Sequence, residues 1–147
     1  MIVDDKIMRY VLFKKRTVEE VRKKCNTLKY EENYIEEIIE YLKDAKYIDD
    51  GLYVTKYVND IKKLKHVSIA QMRNDLLRRG VDTDIIENIL SNEEIYEYEL
   101  ESACYLAAKK LKAGDEVEKI RRFLLNKGYS YSNVSKAIDN LENIEDN

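Results

Sequence analysis

His66 is the only histidine in the chain, so any catalytic or metal-binding arrangement that needs an imidazole must be built around it. It lies in the polar connector KLKHVS, and neither Cys25 nor Cys104 has the CxxC partner of a zinc site. A Ser/His or Cys/His nucleophile would depend on the same imidazole. His66 therefore reads as a solvated linker residue. Asp49 and Asp50 are adjacent carboxylates that invite general acid–base chemistry. They are better placed as the N-cap and first-turn acid of the helical segment GLYVTKYVNDIKKL, where a carboxylate satisfies free N–H groups and meets the positive end of the dipole. The four glycines are isolated and none falls in a phosphate-binding loop. The expectation is a protein that is not an enzyme, with no cofactor and no metal.

The remaining side chains with recognition chemistry are basic. Residues 9–24 hold Arg9, Lys14, Lys15, Arg16, Arg22, Lys23 and Lys24 against only Glu19 and Glu20. Further along stand Arg73, Arg78, Arg79, Arg121, Arg122 and Lys127. Guanidinium forks suit carboxylates and phosphates. The net charge of −3 argues against a broadly basic nucleic-acid binder, and Glu93, Glu94, Glu97, Glu99 and Glu101 form an acidic stretch. Any DNA contact is expected to be weak, one-faced and sensitive to salt, whether to single or double strands.

What positions these residues is helical. The 147-residue chain has no proline and only four glycines, so helix breakers are almost missing. Gly80, Gly114 and Gly128 each follow an apolar-periodic segment with cations in its last turn, the pattern of a helix C-terminus. Thr17/Glu20, Ser68/Gln71 and Asp115/Glu118 fit capping boxes at helix starts.

The chain also repeats itself. Residues 69–90 align with 117–138 at a shift of 48, and the N-terminal segment aligns with 69–90 at a shift of 51. Val21, Met72 and Ile120 share one position; Cys25, Leu76 and Leu124 share another; Arg22, Arg73 and Arg121 share a third. Lys29 stands where the later copies have Gly80 and Gly128. Helices are predicted over about 5–14, 18–28, 32–45, 50–65, 69–79, 84–91, 93–112, 116–127 and 132–142. The predicted fold is all-α, with tandem three-helix repeats forming an elongated, curved array. Its divisions are 1–66, with an extra N-terminal helix, 67–113, and a shortened third repeat with a polar tail over 114–147.

Stacked repeats would set Arg22, Arg73 and Arg121 in a row, with Arg78, Arg79, Arg122 and Lys127 beside it, as a candidate partner-binding surface. The 12 tyrosines are expected at the rims of small cores, and the two cysteines inside them. No apolar run is long enough to span a membrane, and MIVDDKIMRY, with acids where a signal peptide needs positive charge, is not expected to act as one. A cytoplasmic monomer without membrane contact is expected.

The chain resembles the RecX family of bacterial regulatory proteins. The likeness is carried by YVLFKKRTVEEVRKKC (10–25), by LKDAKYIDDGLYVTKYV (42–58), and by the paired runs MRNDLLRRGVDTDIIENIL (72–90) and IRRFLLNKGYSYSNVSKAI (120–138). It covers roughly residues 7 to 141. The chain departs from the family pattern at Lys29 and in the turn before Tyr47, where glycine is often found. The resemblance implies a protein that binds the RecA recombinase or its nucleoprotein filament. It also implies restraint of filament growth, ATPase, strand exchange and coprotease activity, and hence of recombination and the SOS response.

Overall fold

The computed structural model describes residues 3–145, which form nine α-helices and no strand. They are α1 (Asp5–Phe13), α2 (Val18–Thr27), α3 (Glu32–Asp44), α4 (Asp50–Leu64), α5 (Ile69–Arg78), α6 (Thr83–Leu90), α7 (Glu93–Lys112), α8 (Val117–Asn126) and α9 (Tyr131–Glu145). Each predicted segment is present, and only the end of α9 differs by more than one residue. The fold is all-α, as expected.

The repeat register reappears in the helices. α2, α5 and α8 each have 10 residues. Their shared apolar positions are all sealed from solvent: Val21 and Cys25, Met72 and Leu76, Ile120 and Leu124 are 0% exposed. Each large aliphatic buried this way contributes about 1.5–3 kcal/mol.

Five helices end through a residue with left-handed backbone. Three are Gly80, Gly114 and Gly128; the other two are Lys29 (φ 62°) and Lys46 (φ 63°). After each, the next N–H reaches back to close the helix: Tyr30 to the Cys25 carbonyl, Tyr47 to Leu42, Val81 to Leu76, Asp115 to Lys110 and Tyr129 to Leu124, at 2.8–3.2 Å. Lys29 thus performs the turn that glycine performs in the later copies, at a cost of about 1–2 kcal/mol for a Cβ in that region. Lys46 does the same before Tyr47.

Two of the three capping boxes form. Thr17 accepts from the Glu20 N–H (3.1 Å), and its own N–H donates to the Glu20 carboxylate (2.9 Å). Ser68 and Gln71 make the same reciprocal pair at 3.1 and 2.9 Å. The third, Asp115/Glu118, does not form. α8 starts after Glu116, which makes no side-chain cap, and Asp115 instead lies 3.5 Å from Lys119 and 4.0 Å from Lys110. The reason is register. The shift of 48 places Glu116 opposite Ser68, and Asp115 already belongs to the turn that ends α7.

The chain forms two compact units. One comprises the described residues through Tyr57 with Leu76–Ile89; the other comprises Val58–Asp75 with the described residues from Leu90 onward. In the first unit, Ile7 and Val11 of α1, Val21 and Cys25 of α2, and Ile35, Ile38, Ile39 and Leu42 of α3 make one core with Val3 and Ile48. In the second, Ala103 and Ala107 of α7 meet Ile120 and Leu124 of α8, Tyr129, and Val134, Ala137, Ile138 and Leu141 of α9.

Each unit contains the same joint. In the first, the buried Thr17 hydroxyl donates to the Arg79 carbonyl at 2.8 Å, joining the start of α2 to the end of α5. A Cβ on Gly80 would lie 2.3 Å from the Glu19 Cβ. In the second, the buried Ser68 hydroxyl donates to the Lys127 carbonyl at 2.7 Å, joining the start of α5 to the end of α8. There a Cβ on Gly128 would lie 3.0 Å from the Ala70 Cβ. Thr17 and Ser68 are equivalent in the repeat, as are Arg79 and Lys127, and Glu19 and Ala70.

Candidate interaction surface

Of the seven basic residues singled out by sequence, Arg22, Arg78 and Arg79 belong to the first unit and Arg73, Arg121, Arg122 and Lys127 to the second. Arg22, on α2, is half-buried. Its Nη1 donates to the Glu36 carboxylate, and its Nε lies 3.9 Å from Glu19. The Glu36 hydrogen bond raises the Arg22 pKa and lowers that of Glu36. On α8, Arg121 Nε bonds Glu118 at 3.2 Å. Glu19 and Glu118 are repeat equivalents, so α2 and α8 carry the same Glu–Arg pair three residues apart. In α5 that acid is replaced by Ala70, and Arg73 instead acts electrostatically on Glu99.

Arg79 is held by two tyrosines of α4. Its Nη1 donates to the Tyr53 hydroxyl at 2.7 Å, and its guanidinium lies 5.0 Å from the centre of the Tyr57 ring. Such cation–π contacts contribute about 0.5–1 kcal/mol when exposed and more when desolvated. Tyr53 and Tyr57 lie one turn apart on α4, where tyrosines are expected at the rim of a small core. Arg78, Arg122 and Lys127 are exposed. Lys127 Nζ lies 5.7 Å from the Phe123 ring centre, and Lys110 Nζ 4.3 Å from it.

The acidic stretch is not a continuous face. Glu99 is 2% exposed and accepts the Ser130 N–H at 2.9 Å, at the start of α9. Burial pushes its carboxyl above the ordinary range, while the Ser130 N–H, Asn133 and the Arg73 charge pull it back. The spacing signals it: Ile95, Ser102 and Ala103, four before and three and four after, are buried too. Its charge conceals that placement. Tyr98 and Tyr129 are likewise inside. Burial raises the Tyr129 hydroxyl to about 12, and it shares a 2.6 Å hydrogen bond with Ser102.

Asp49 and Asp50 both serve helix starts. Asp49 Oδ1, just before α4, accepts the Leu52 N–H at 3.1 Å, and Asp50 Oδ1 accepts the Val18 N–H at 2.9 Å, which ties α4 to the first residue of α2. A cavity of about 330 Å³ lies beside them, lined by Val18, Lys43, Ile48, Asp49, Asp50, Gly51 and Ile85. Burial raises the Asp50 pKa. His66 is exposed in the connector, as expected, and its ring stacks on Tyr105 at 3.9 Å. Among the described residues, no helix is long and apolar enough to cross a membrane.

No family model matches the chain. It is 38% identical over 138 residues to the regulatory protein RecX of Clostridium botulinum (strain Eklund 17B / Type B), covering 88% of this chain and 64% of that protein. It is 31% identical over 141 residues to the regulatory protein RecX of Finegoldia magna, covering 91% of this chain and 68% of that one. The chain belongs to the RecX family. The crystal structure of RecX from Lactobacillus salivarius superposes with a TM-score of 0.84 at 29% identity, over 94% of this chain and 93% of that one. The motifs that carry the RecX likeness are largely joints and caps. Ile48 is in the core, Asp49 and Asp50 hold two helix starts, Gly128 makes a close approach, and Tyr129 is buried. They specify the fold.

Proposed function

We propose that this RecX-family chain regulates a RecA-type recombinase by binding the protein or its nucleoprotein filament and restraining its ATPase, strand-exchange and coprotease activities. Family membership, shown by the Finegoldia magna relative, carries this reading. The chain spans 64% of the length of its Clostridium botulinum relative, and the activity proposed is that of these residues. The basic residues support the chemistry. Arg22 and Arg121 are held by partly exposed intramolecular pairs, and such pairs are worth about 0–1 kcal/mol. A partner's carboxylates can therefore replace Glu36, Glu19 and Glu118 at little cost. Arg73 completes the proposed set.

The test is recombinase ATPase on single-stranded DNA with this chain titrated in. Inhibition at well below one chain per recombinase, lost in an Arg73→Glu/Arg121→Glu variant of unchanged helicity, is the expected result. Full inhibition by that variant rules out these arginines as the contact. Absence of inhibition by the wild type, together with steeply salt-dependent DNA binding, replaces the reading with a DNA-binding module.

A further inference from the structure

α1 ends in two large apolar side chains that the core leaves out. Ile7 and Val11 are buried, and Met8 and Tyr10 pack against the same core, but Leu12 is 65% and Phe13 82% exposed. Arg9 lies on their side of the helix, three and four residues earlier. Lys14 and Lys15 follow directly; both are exposed and make no ion pair among the described residues. Cations at a helix C-terminus complement its dipole, which accounts for the lysines. It does not account for an uncovered phenylalanine.

The end of α1 is also held in place. Arg16 Nε donates to the Tyr10 carbonyl at 3.0 Å, and its guanidinium lies 3.7 Å from the Tyr10 ring centre. Lys24 approaches the same ring at 5.6 Å. The connector from α1 to α2 is thereby pinned to α1, so Phe13 is presented on a fixed support and loses little entropy on docking.

We infer that Leu12 and Phe13, rimmed by Arg9, Lys14 and Lys15, are a docking point for an acidic protein surface that carries an apolar cleft. This rests on the reading that the partner is the recombinase filament. Charge complementarity selects the acidic rim. The apolar pair selects a cleft, since phosphates alone leave Leu12 and Phe13 in water. A membrane is disfavoured because the rest of the apolar stripe of α1 is consumed by the core, leaving two side chains where interfacial helices offer a whole face.

Two variants test this, Leu12→Ser/Phe13→Ser and Lys14→Glu/Lys15→Glu, with helicity checked by circular dichroism. The sites are exposed, so both are expected to fold. Affinity is measured for recombinase filaments on single-stranded DNA, for the bare DNA and for anionic lipid vesicles. The apolar variant is expected to bind filament about 30-fold more weakly or worse, as for loss of a central aromatic anchor. The charge reversal is expected to slow association and to reduce its salt dependence. Filament binding within about 3-fold of wild type in both variants, far short of an anchor's loss, overturns this assignment alone. A wild-type chain that does not bind filament overturns the recombinase reading and this one with it. Parallel loss of bare-DNA or vesicle binding reassigns the surface and overturns it as well.

Discussion

Ser68→Ala removes one hydroxyl and almost nothing else, so it isolates the joint between α5 and α8. In the folded chain that oxygen is fully buried, accepts the Gln71 N–H at 3.1 Å and donates to the Lys127 carbonyl at 2.7 Å. Loss of the N-cap costs about 1 kcal/mol. The Lys127 carbonyl then loses its donor in a partly buried setting, which costs about 1 kcal/mol more, at the lower end of the range for an unsatisfied buried acceptor. The expected destabilisation is about 2 kcal/mol, a lowering of Tm by roughly 4–8 °C for a chain of this size. Urea unfolding followed by circular dichroism measures it, with the slope against denaturant checked for constancy. The matched control is Asp115→Ala. Asp115 occupies the place of a cap in the local sequence but makes only long ion pairs, at 3.5 and 4.0 Å, to an exposed lysine and a partly exposed one, so its loss is expected to cost less than about 0.5 kcal/mol. A Ser68→Ala variant as stable as the control refutes the joint. So does a control as costly as Ser68→Ala.

Two further outcomes are expected. Gly80→Ala must place a methyl group 2.3 Å from the Glu19 Cβ at φ +82°, whereas Gly114→Ala meets nothing within 4 Å. The first is therefore expected to destabilise by more than the roughly 1–2 kcal/mol of backbone strain, and the second by about that strain alone, as read from thermal melts of both. For Glu99, burial raises the folded-state pKa, so the stability it contributes is complete below the ordinary carboxyl range and is lost as pH rises through that raised value. Glu99→Gln, which keeps an acceptor for the Ser130 N–H, is expected to be more stable than wild type at pH 7, with the advantage vanishing near pH 3. An advantage that grows on acidification contradicts this.

The helices were legible because the chain punctuates so sparingly. With no proline and four glycines, each Gly and each Ser or Thr before an apolar run carried information, and the internal alignment supplied a second, independent register. Where local motif and repeat register disagreed, at Asp115 and Glu116, the register prevailed. Nothing in the side chain of Lys46 announces a left-handed residue, and only the family resemblance, with glycine often found in the turn before Tyr47, marks the place; the preceding helix and the burial of Ile48 force the turn. Glu99 escaped notice because charge is read as exposure, and only the spacing of its buried neighbours places it inside. The candidate surface was legible as residue types and not as partners. Nothing in sequence pairs Arg79 with two tyrosines more than 20 positions earlier, and the exposure of Phe13 depends on which side of α1 the core takes.

The joint has a consequence for how such a chain can change. Its acceptor is a main-chain carbonyl, at Arg79 in one unit and Lys127 in the other, and every residue type supplies that atom. Cohesion is thus charged to the hydroxyl of Thr17 or Ser68 and to a following glycine, while the side chain at the carbonyl position is released from it. At position 127 the released side chain is an exposed lysine near one aromatic ring. Mutational drift can rewrite the electrostatic character of that spot without loosening the fold beneath it. A lineage can therefore alter that part of its surface one residue at a time.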